Sequence, residues 1–264
     1  TYRIAFLPSF TLEPVAAHLS LRTFIHGWSA TTAFWPYQQW DGVLSSPGDL
    51  DAFAPDAVAL MLHLEDCVPT LAYTHLAGRA QLDDEIELFL EHLQSAVSAF
   101  RQRSATPVIL NTLIPMTRGI ERHFDRRVRD GRQERVDRLN RAISEIARTQ
   151  SGVYLFDYAQ CVTDAGRVAW YDPVKDHHTR SALTPTGLAA LADELAEFLN
   201  ALLGVRRKVL AVDLDNTLWG GVVGEDGVDG LALAGDYPGN AYHNFQSFLA
   251  NLRSSGIALA TVSK

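Results

Sequence analysis

The sequence predicts an α/β protein in which helices cover both faces of a parallel sheet. Short uninterrupted apolar runs, such as Ala57-Val-Ala-Leu-Met-Leu62 after Pro55, suit strands buried on both sides. Segments with apolar residues at helical spacing alternate with these runs, as βαβ units require. The length of 264 residues fits one large domain or two smaller ones, at roughly 100–200 residues each.

The elements follow in order. Ile4-Ala-Phe-Leu7 reads as a strand stopped by Pro8-Ser9, and Leu12, Val15, Leu19 and Leu21 as the apolar face of a helix. After the 57–62 strand, Ile86, Phe89, Leu90, Leu93, Val97 and Phe100 mark a long helix whose positive N-terminal end suits Asp83 and Asp84. Pro107-Val-Ile-Leu110 is the next strand. Val136, Leu139, Ile143 and Ile146 mark a helix, and Val153-Tyr-Leu-Phe156 a strand. Thr184-Pro185 caps and opens a helix that runs to about Leu203. The basic connector Gly204-Val-Arg-Arg-Lys208 divides a domain of residues 1–203 from residues 204–264.

Beyond it, Val209-Leu-Ala-Val-Asp213 is a strand, a Gly-rich stretch leads to Gly239, and a helix near 241–255 precedes a strand at 257–263. Two strands and one helix bury too little surface to be stable alone. The expectation is that this segment opens a domain continued in a longer protein.

Net charge is −8, which argues against nucleic acid as a partner. No apolar run reaches the roughly 18 residues of a spanning helix, so no membrane partner is expected. The start, Thr1-Tyr-Arg-Ile-Ala-Phe-Leu-Pro-Ser9, lacks the layout of a secretory signal, and cytoplasmic residence is expected. Cys67 and Cys161 are too few for a disulfide framework and read as inert buried thiols.

The chemistry concentrates in Asp213-Leu-Asp215-Asn-Thr217-Leu-Trp-Gly-Gly221, directly after an apolar strand. Such a strand delivers its C-terminal residues to the crevice where parallel sheets bind ligands. One carboxylate can attack phosphorus. The other can protonate the leaving group and then activate water. Mg²⁺ would offset the repulsion between carboxylates and phosphate. Thr217 and the turn's backbone N–H groups, Leu214 among them, would hold phosphoryl oxygens. An Asp-rich turn with an Asx cap is the plain alternative.

The run from Lys208 to Gly227, with His243-Asn-Phe-Gln246 and Gly256-Ile-Ala-Leu-Ala-Thr-Val-Ser-Lys264, resembles the FkbH-like proteins of the haloacid-dehalogenase (HAD) superfamily, subfamily IIIC. The resemblance implies that Asp213 is the nucleophile and a Mg²⁺ ligand. It implies that Asp215 is the acid/base and binds Mg²⁺ through its carbonyl, and that Ser263 binds the phosphoryl group. The superfamily's later lysine and acidic ligands would lie beyond Lys264. FkbH-like proteins of polyketide pathways take a glyceryl unit from 1,3-bisphosphoglycerate, remove phosphate and load the acyl group onto an acyl carrier protein. Several carry a cysteine just before the Ser-Lys of the second strand, where this chain has Val262.

FkbH-like proteins often carry an N-terminal domain resembling SGNH hydrolases. The implied fold is a flavodoxin-like/SGNH-like three-layer domain followed by the first part of a HAD-type Rossmann-like domain. Ser9 takes the place of the SGNH nucleophile. The Gly-x-Asn-Asp block would fall at His63-Leu-Glu-Asp66, without its glycine and asparagine. The Asp-x-x-His block would fall at Thr179-Arg-Ser-Ala182, so the general base is replaced and Ser9 reads as a vestigial site. Asp176-His177-His178 could supply a displaced base.

Ten arginines stand against six acids between Arg118 and Arg148. Glu134 with Arg138 and Asp137 with Arg141 are spaced for i,i+4 ion pairs, and the excess charge also suits an acidic carrier protein. Three further readings stand beside an FkbH-like enzyme acting on a phosphorylated three-carbon acid. They are a plain HAD phosphatase with a non-catalytic N-terminal scaffold, a carrier-binding module in residues 1–203, and an SGNH-type esterase or acyltransferase.

Overall fold

Strand β1 (Tyr2–Pro8) lies between β2 (Ala30–Phe34) and β3 (Ala57–Met61), and β4 (Val108–Asn111) and β5 (Val153–Phe156) extend the sheet beyond β3. Every pairing is parallel, so the order is β2-β1-β3-β4-β5, that of doubly wound flavodoxin-like sheets. The structure, a computed structural model, describes residues 1–46, 48–73, 79–119, 122–204 and 208–262, with the backbone alone at 79 and 80. The chain divides into two units, Thr1–Gly204 and Val205–Lys264.

Helices link the strands of the first unit. They are α1 (Val15–Ile25), α2 (Trp40–Ser45), α3 (Asp49–Phe53), α4 (Leu64–Cys67), α5 (Pro69–Ala72), α6 (Arg79–Arg103) and α7 (Arg132–Thr149). After β5 come α8 (Tyr158–Ala165), α9 (Arg167–Trp170), α10 (Pro173–Thr179) and α11 (Pro185–Leu203). Alternation along the strands separates two cores. Ala5, Leu7, Val58, Leu60 and Leu110 pack with Leu93 and Phe100 of α6 and Leu139 and Ile143 of α7. Ile4, Phe6, Ala59, Met61 and Ile109 pack with Leu19 of α1 and Leu191, Leu195 and Leu199 of α11. Successive strand residues point to opposite faces, so apolar runs fill both layers.

The cap expected for α11 forms, with the Thr184 hydroxyl accepting from the Gly187 amide at 3.0 Å. Gly187 also lets the helix meet the backbone of Trp170, because a Cβ there would sit 2.6 Å from the Trp170 carbonyl oxygen. Several elements were not read from the sequence, β2, α2 and α3 among them. β2, Ala-Thr-Thr-Ala-Phe, is a half-buried edge strand, and α2 and α3 are each under two turns long.

In the second unit β6 (Val209–Val212) pairs parallel with β7 (Ala258–Thr261). Between them lie α12 (Val223–Asp226) and α13 (Gly239–Ser254). The short α12 breaks the stretch read from sequence as Gly-rich loop. Val212 is buried, whereas Val209, Leu210 and Leu259 are exposed by 62%, 36% and 37%, so this sheet leaves apolar surface bare. No helix among the described residues is long and apolar enough to cross a membrane.

Candidate functional site

The Asp213 segment turns sharply after β6. Leu214 carbonyl accepts from the Thr217 and Leu218 amides, at 3.2 and 2.8 Å. Asn216 sits in the left-handed region at φ 55°, which Asn tolerates better than most residues, and its side chain accepts from the Gly221 amide at 3.0 Å. Gly221 has φ +105°, a conformation that favours glycine. The plain Asx reading of Asn216 is therefore realised inside the motif.

The two carboxylates are held differently. Asp213 is exposed, and its Oδ1 accepts from the Leu214 amide at 2.9 Å. Its Oδ2 has no hydrogen-bond partner among the described residues. Asp215 is half-buried, and its Oδ1 accepts from Trp219 Nε1 at 3.0 Å and from the Val223 amide at 3.2 Å. Trp219 was not singled out by the sequence as a functional residue. Its indole, a donor only, fixes the orientation of Asp215. The turn also spends amides expected for phosphate, since those of Leu214 and Thr217 are engaged within it, while the Thr217 hydroxyl has no hydrogen-bond partner among the described residues.

The donor chemistry fits Mg²⁺, which takes oxygen ligands and keeps several waters when only one or two carboxylates bind it. No group of three or more His, Cys, Asp or Glu residues is gathered for a metal among the described residues. Asp213 and Asp215 would supply only part of the oxygen ligands such an ion takes. Ser263 lies outside the described residues. Val262 closes the strand region and is 60% exposed.

In the first unit, Ser9 follows β1 and His63–Asp66 follow β3, beside the point where strand order reverses. Ligands of doubly wound sheets bind in that crevice. Ser9 is buried, and its hydroxyl donates to Asp66 Oδ2 at 2.9 Å while accepting from the His63 amide at 2.9 Å. Asp66 is also paired with Arg180. Burial, opposed by the Ser9 and Arg180 contacts, holds the Asp66 carboxyl above its usual range.

The His63 ring makes no hydrogen bond to Ser9 among the described residues. It stacks on Phe10, with centroids 3.6 Å apart, and its Nε2 lies 2.9 Å from the Tyr158 hydroxyl. Trp170 Nε1 donates to that hydroxyl at 2.9 Å, which leaves the tyrosine proton for a neutral His63. Burial, reinforced by Arg180, lowers His63 to about 3. His177 and His178 are exposed, and neither bonds Ser9 among the described residues. Ala182 is fully buried where a general base would stand. Ser9 therefore has a carboxylate partner and no imidazole.

The arginine-rich segment departs from the expected pairing. Arg138 meets Asp130 and Asp83, at 3.3 and 3.8 Å, instead of Glu134. Asp137 accepts from Gln133 rather than Arg141, and Glu134 accepts from the Asp130 amide. The reason is tertiary: α6 brings Asp83 against Arg135, which binds it in a bidentate fork at 3.0 and 3.1 Å. Cys67 and Cys161 are both free, and burial raises Cys67 well above the ordinary thiol range and Cys161 to about 12. Such thiols are poor nucleophiles.

No family model matches the chain, and no curated protein matches it in sequence. A solved structure similar to it is the N-terminal part of the protein BF1531 from Bacteroides fragilis, containing a phosphatase domain complexed with Mg. The two are 21% identical with a TM-score of 0.80, covering all of this chain and 69% of that one. BT4096, a gut microbial diltiazem-metabolizing enzyme, matches at TM-score 0.52 and 14% identity, over 80% of this chain and 49% of that one. These likenesses define the class as a mixed α/β fold on parallel sheets, one that enzymes use.

Proposed function

We propose that the chain contributes to a Mg²⁺-dependent, HAD-type phosphoryl-transfer enzyme, with Asp213 as nucleophile and Asp215 as acid/base. The observation that carries this is the contrast between the two carboxylates. Asp213 presents an unpartnered oxygen at the end of β6, while Trp219 and the Val223 amide fix Asp215 beside it.

Asp213 Oδ2 attacks the phosphorus of a phosphomonoester, and the bond from phosphorus to the ester oxygen breaks. Asp215 gives its proton to the departing oxygen. It then takes one from water, which attacks the aspartyl-phosphate and releases orthophosphate. The Asp213 carboxylate and the Asp215 carbonyl would hold Mg²⁺, whose charge would offset the repulsion between carboxylate and phosphate. Thr217 would contact the phosphoryl oxygens, and the family resemblance assigns Ser263 the same role.

The finer reading is an FkbH-like enzyme that acts on 1,3-bisphosphoglycerate and passes the glyceryl unit to an acyl carrier protein in polyketide biosynthesis. There the carrier thiol attacks the acyl-phosphate carbonyl, forming a 3-phosphoglyceryl thioester and expelling the first phosphate, and hydrolysis of the 3-phosphomonoester through Asp213 releases the second and leaves the glyceryl thioester. The resemblance of residues 208–227 supports it. Val262, exposed where several FkbH-like proteins have a thiol, favours a second reading as a plain phosphatase.

The test is to incubate the intact protein with Mg²⁺, 1,3-bisphosphoglycerate and holo carrier protein, then weigh the carrier and assay phosphate. A glyceryl adduct supports transfer, and phosphate alone supports the plain phosphatase. Activity unchanged in Asp213→Asn defeats both.

A further inference from the structure

The loop after β4 and the start of α7 enclose a cavity of about 420 Å³, within the size range of small-molecule sites. Arg118, Arg122, Arg126, Arg132 and Arg167 line it, with His123. The cavity belongs to the first unit and stands on the side of the sheet where the strands end.

Its single lining carboxylate does not neutralise it. Asp125 uses both oxygens on backbone, accepting from the Arg132 amide at 2.7 Å and the Gln133 amide at 2.9 Å as it closes the start of α7. Arg132 is buried and committed to the wall, donating to the Leu71 and Thr117 carbonyls at 3.0 and 2.8 Å and to that of Ala72. The side chains of Arg118, Arg122, Arg126 and Arg167 make no ion pair or hydrogen bond among the described residues. Burial and the neighbouring charge of Arg118 both disfavour the charged form of Arg167, while Glu65 offsets part of that effect. Glu65 itself is buried behind the cavity, with Oε1 held by the Met116 and Thr117 amides and Oε2 unpartnered.

Like charges in excess around a concavity raise the local concentration of anions. Guanidinium forks match phosphate in a bidentate way. No Phe, Tyr or Trp lines the cavity among the described residues.

We infer that this arginine-lined cavity, formed by residues of the N-terminal unit, is a binding site for a small phosphate ester. The site requires neither Mg²⁺ nor the phosphoryl-transfer reading.

The test uses the full chain and two probes, inorganic phosphate and 3-phosphoglycerate, titrated calorimetrically at fixed ionic strength with EDTA. Saturable one-to-one binding is expected. Arg118→Gln and Arg167→Gln should each weaken it about tenfold or more, the scale of a lost charged hydrogen bond. Asp213→Asn and the exposed control Arg141→Gln should leave it unchanged. Circular dichroism and melting of the unliganded variants verify that they fold. Three results overturn the inference: no saturable binding, loss in Asp213→Asn with retention in the arginine variants, or binding of an acidic carrier protein without binding of either probe.

Discussion

Ser9 and Asp66 are joined by a 2.9 Å hydrogen bond at the carboxyl ends of β1 and β3, and the hydroxyl of Ser9 is the donor. The same hydroxyl accepts from the His63 amide, so it ties two loops together. Ser9→Ala removes both bonds and leaves Asp66 with Arg180 alone. We expect a loss of about 1–3 kcal/mol in stability, the range for stripping a buried polar group of its partner. Urea unfolding measures it, and a serine-directed phosphonate should leave the mass of the native protein unchanged. A phosphonate adduct absent from Ser9→Ala would restore Ser9 as a nucleophile.

His63 makes the first unit sensitive to acid. Its pKa is about 6.5 in an unfolded chain and is lowered to about 3 by burial, so between those values the unfolded state binds a proton that the folded state excludes. The stability attached to neutral His63 is therefore complete above pH 6.5, falls as pH drops, and levels off near pH 3. Asp66 and Glu65, whose carboxyls are raised by burial, act in the opposite sense near the carboxylate range. Chemical denaturation from pH 7.5 to 5 isolates the histidine, and His63→Gln should flatten the slope there. An equal slope in that variant would assign the effect elsewhere.

The layered architecture was legible because its strands are apolar throughout. Ala57–Met61 is buried at every position, which only a strand covered on both faces requires. β2 was illegible for the converse reason: its residues are half-exposed at an edge, and Ala-Thr-Thr-Ala-Phe has little periodicity. At the candidate site, spacing marked Asp213 and Asp215 but not Trp219, because an aromatic four residues on reads as core until the turn brings its Nε1 to a carboxylate. Likewise, i,i+4 spacing suggested ion pairs within α7, whereas Asp83 from α6 competes for Arg135 and Arg138. Local spacing carries no information about such a partner.

Trp219→Phe should test the role of that indole as a positioning group. The ring volume is largely kept while the N–H to Asp215 is lost. We expect kcat for phosphate release to fall about tenfold with KM little changed, since an oriented acid/base contributes to the transition state and not to substrate binding. Steady-state kinetics at saturating Mg²⁺ provides the comparison. A rise in KM at constant kcat would place Trp219 in substrate binding instead.

Gly187 offers a purely structural check on how the cap of α11 meets α9. A Cβ at this position would stand 2.6 Å from the Trp170 carbonyl oxygen and 3.1 Å from its Cα, both backbone atoms that cannot swing aside. Trp170 is itself fully buried and holds the Tyr158 hydroxyl, which in turn faces His63. Gly187→Ala should therefore lower stability by about 1–3 kcal/mol through overpacking, although alanine is the better helix former by nearly 1 kcal/mol. The displacement should also reach the Trp170–Tyr158–His63 chain, so tryptophan fluorescence should shift along with the fall in Tm. A variant as stable as the parent would show that α9 can move, and that the close approach at Gly187 is not what sets its position.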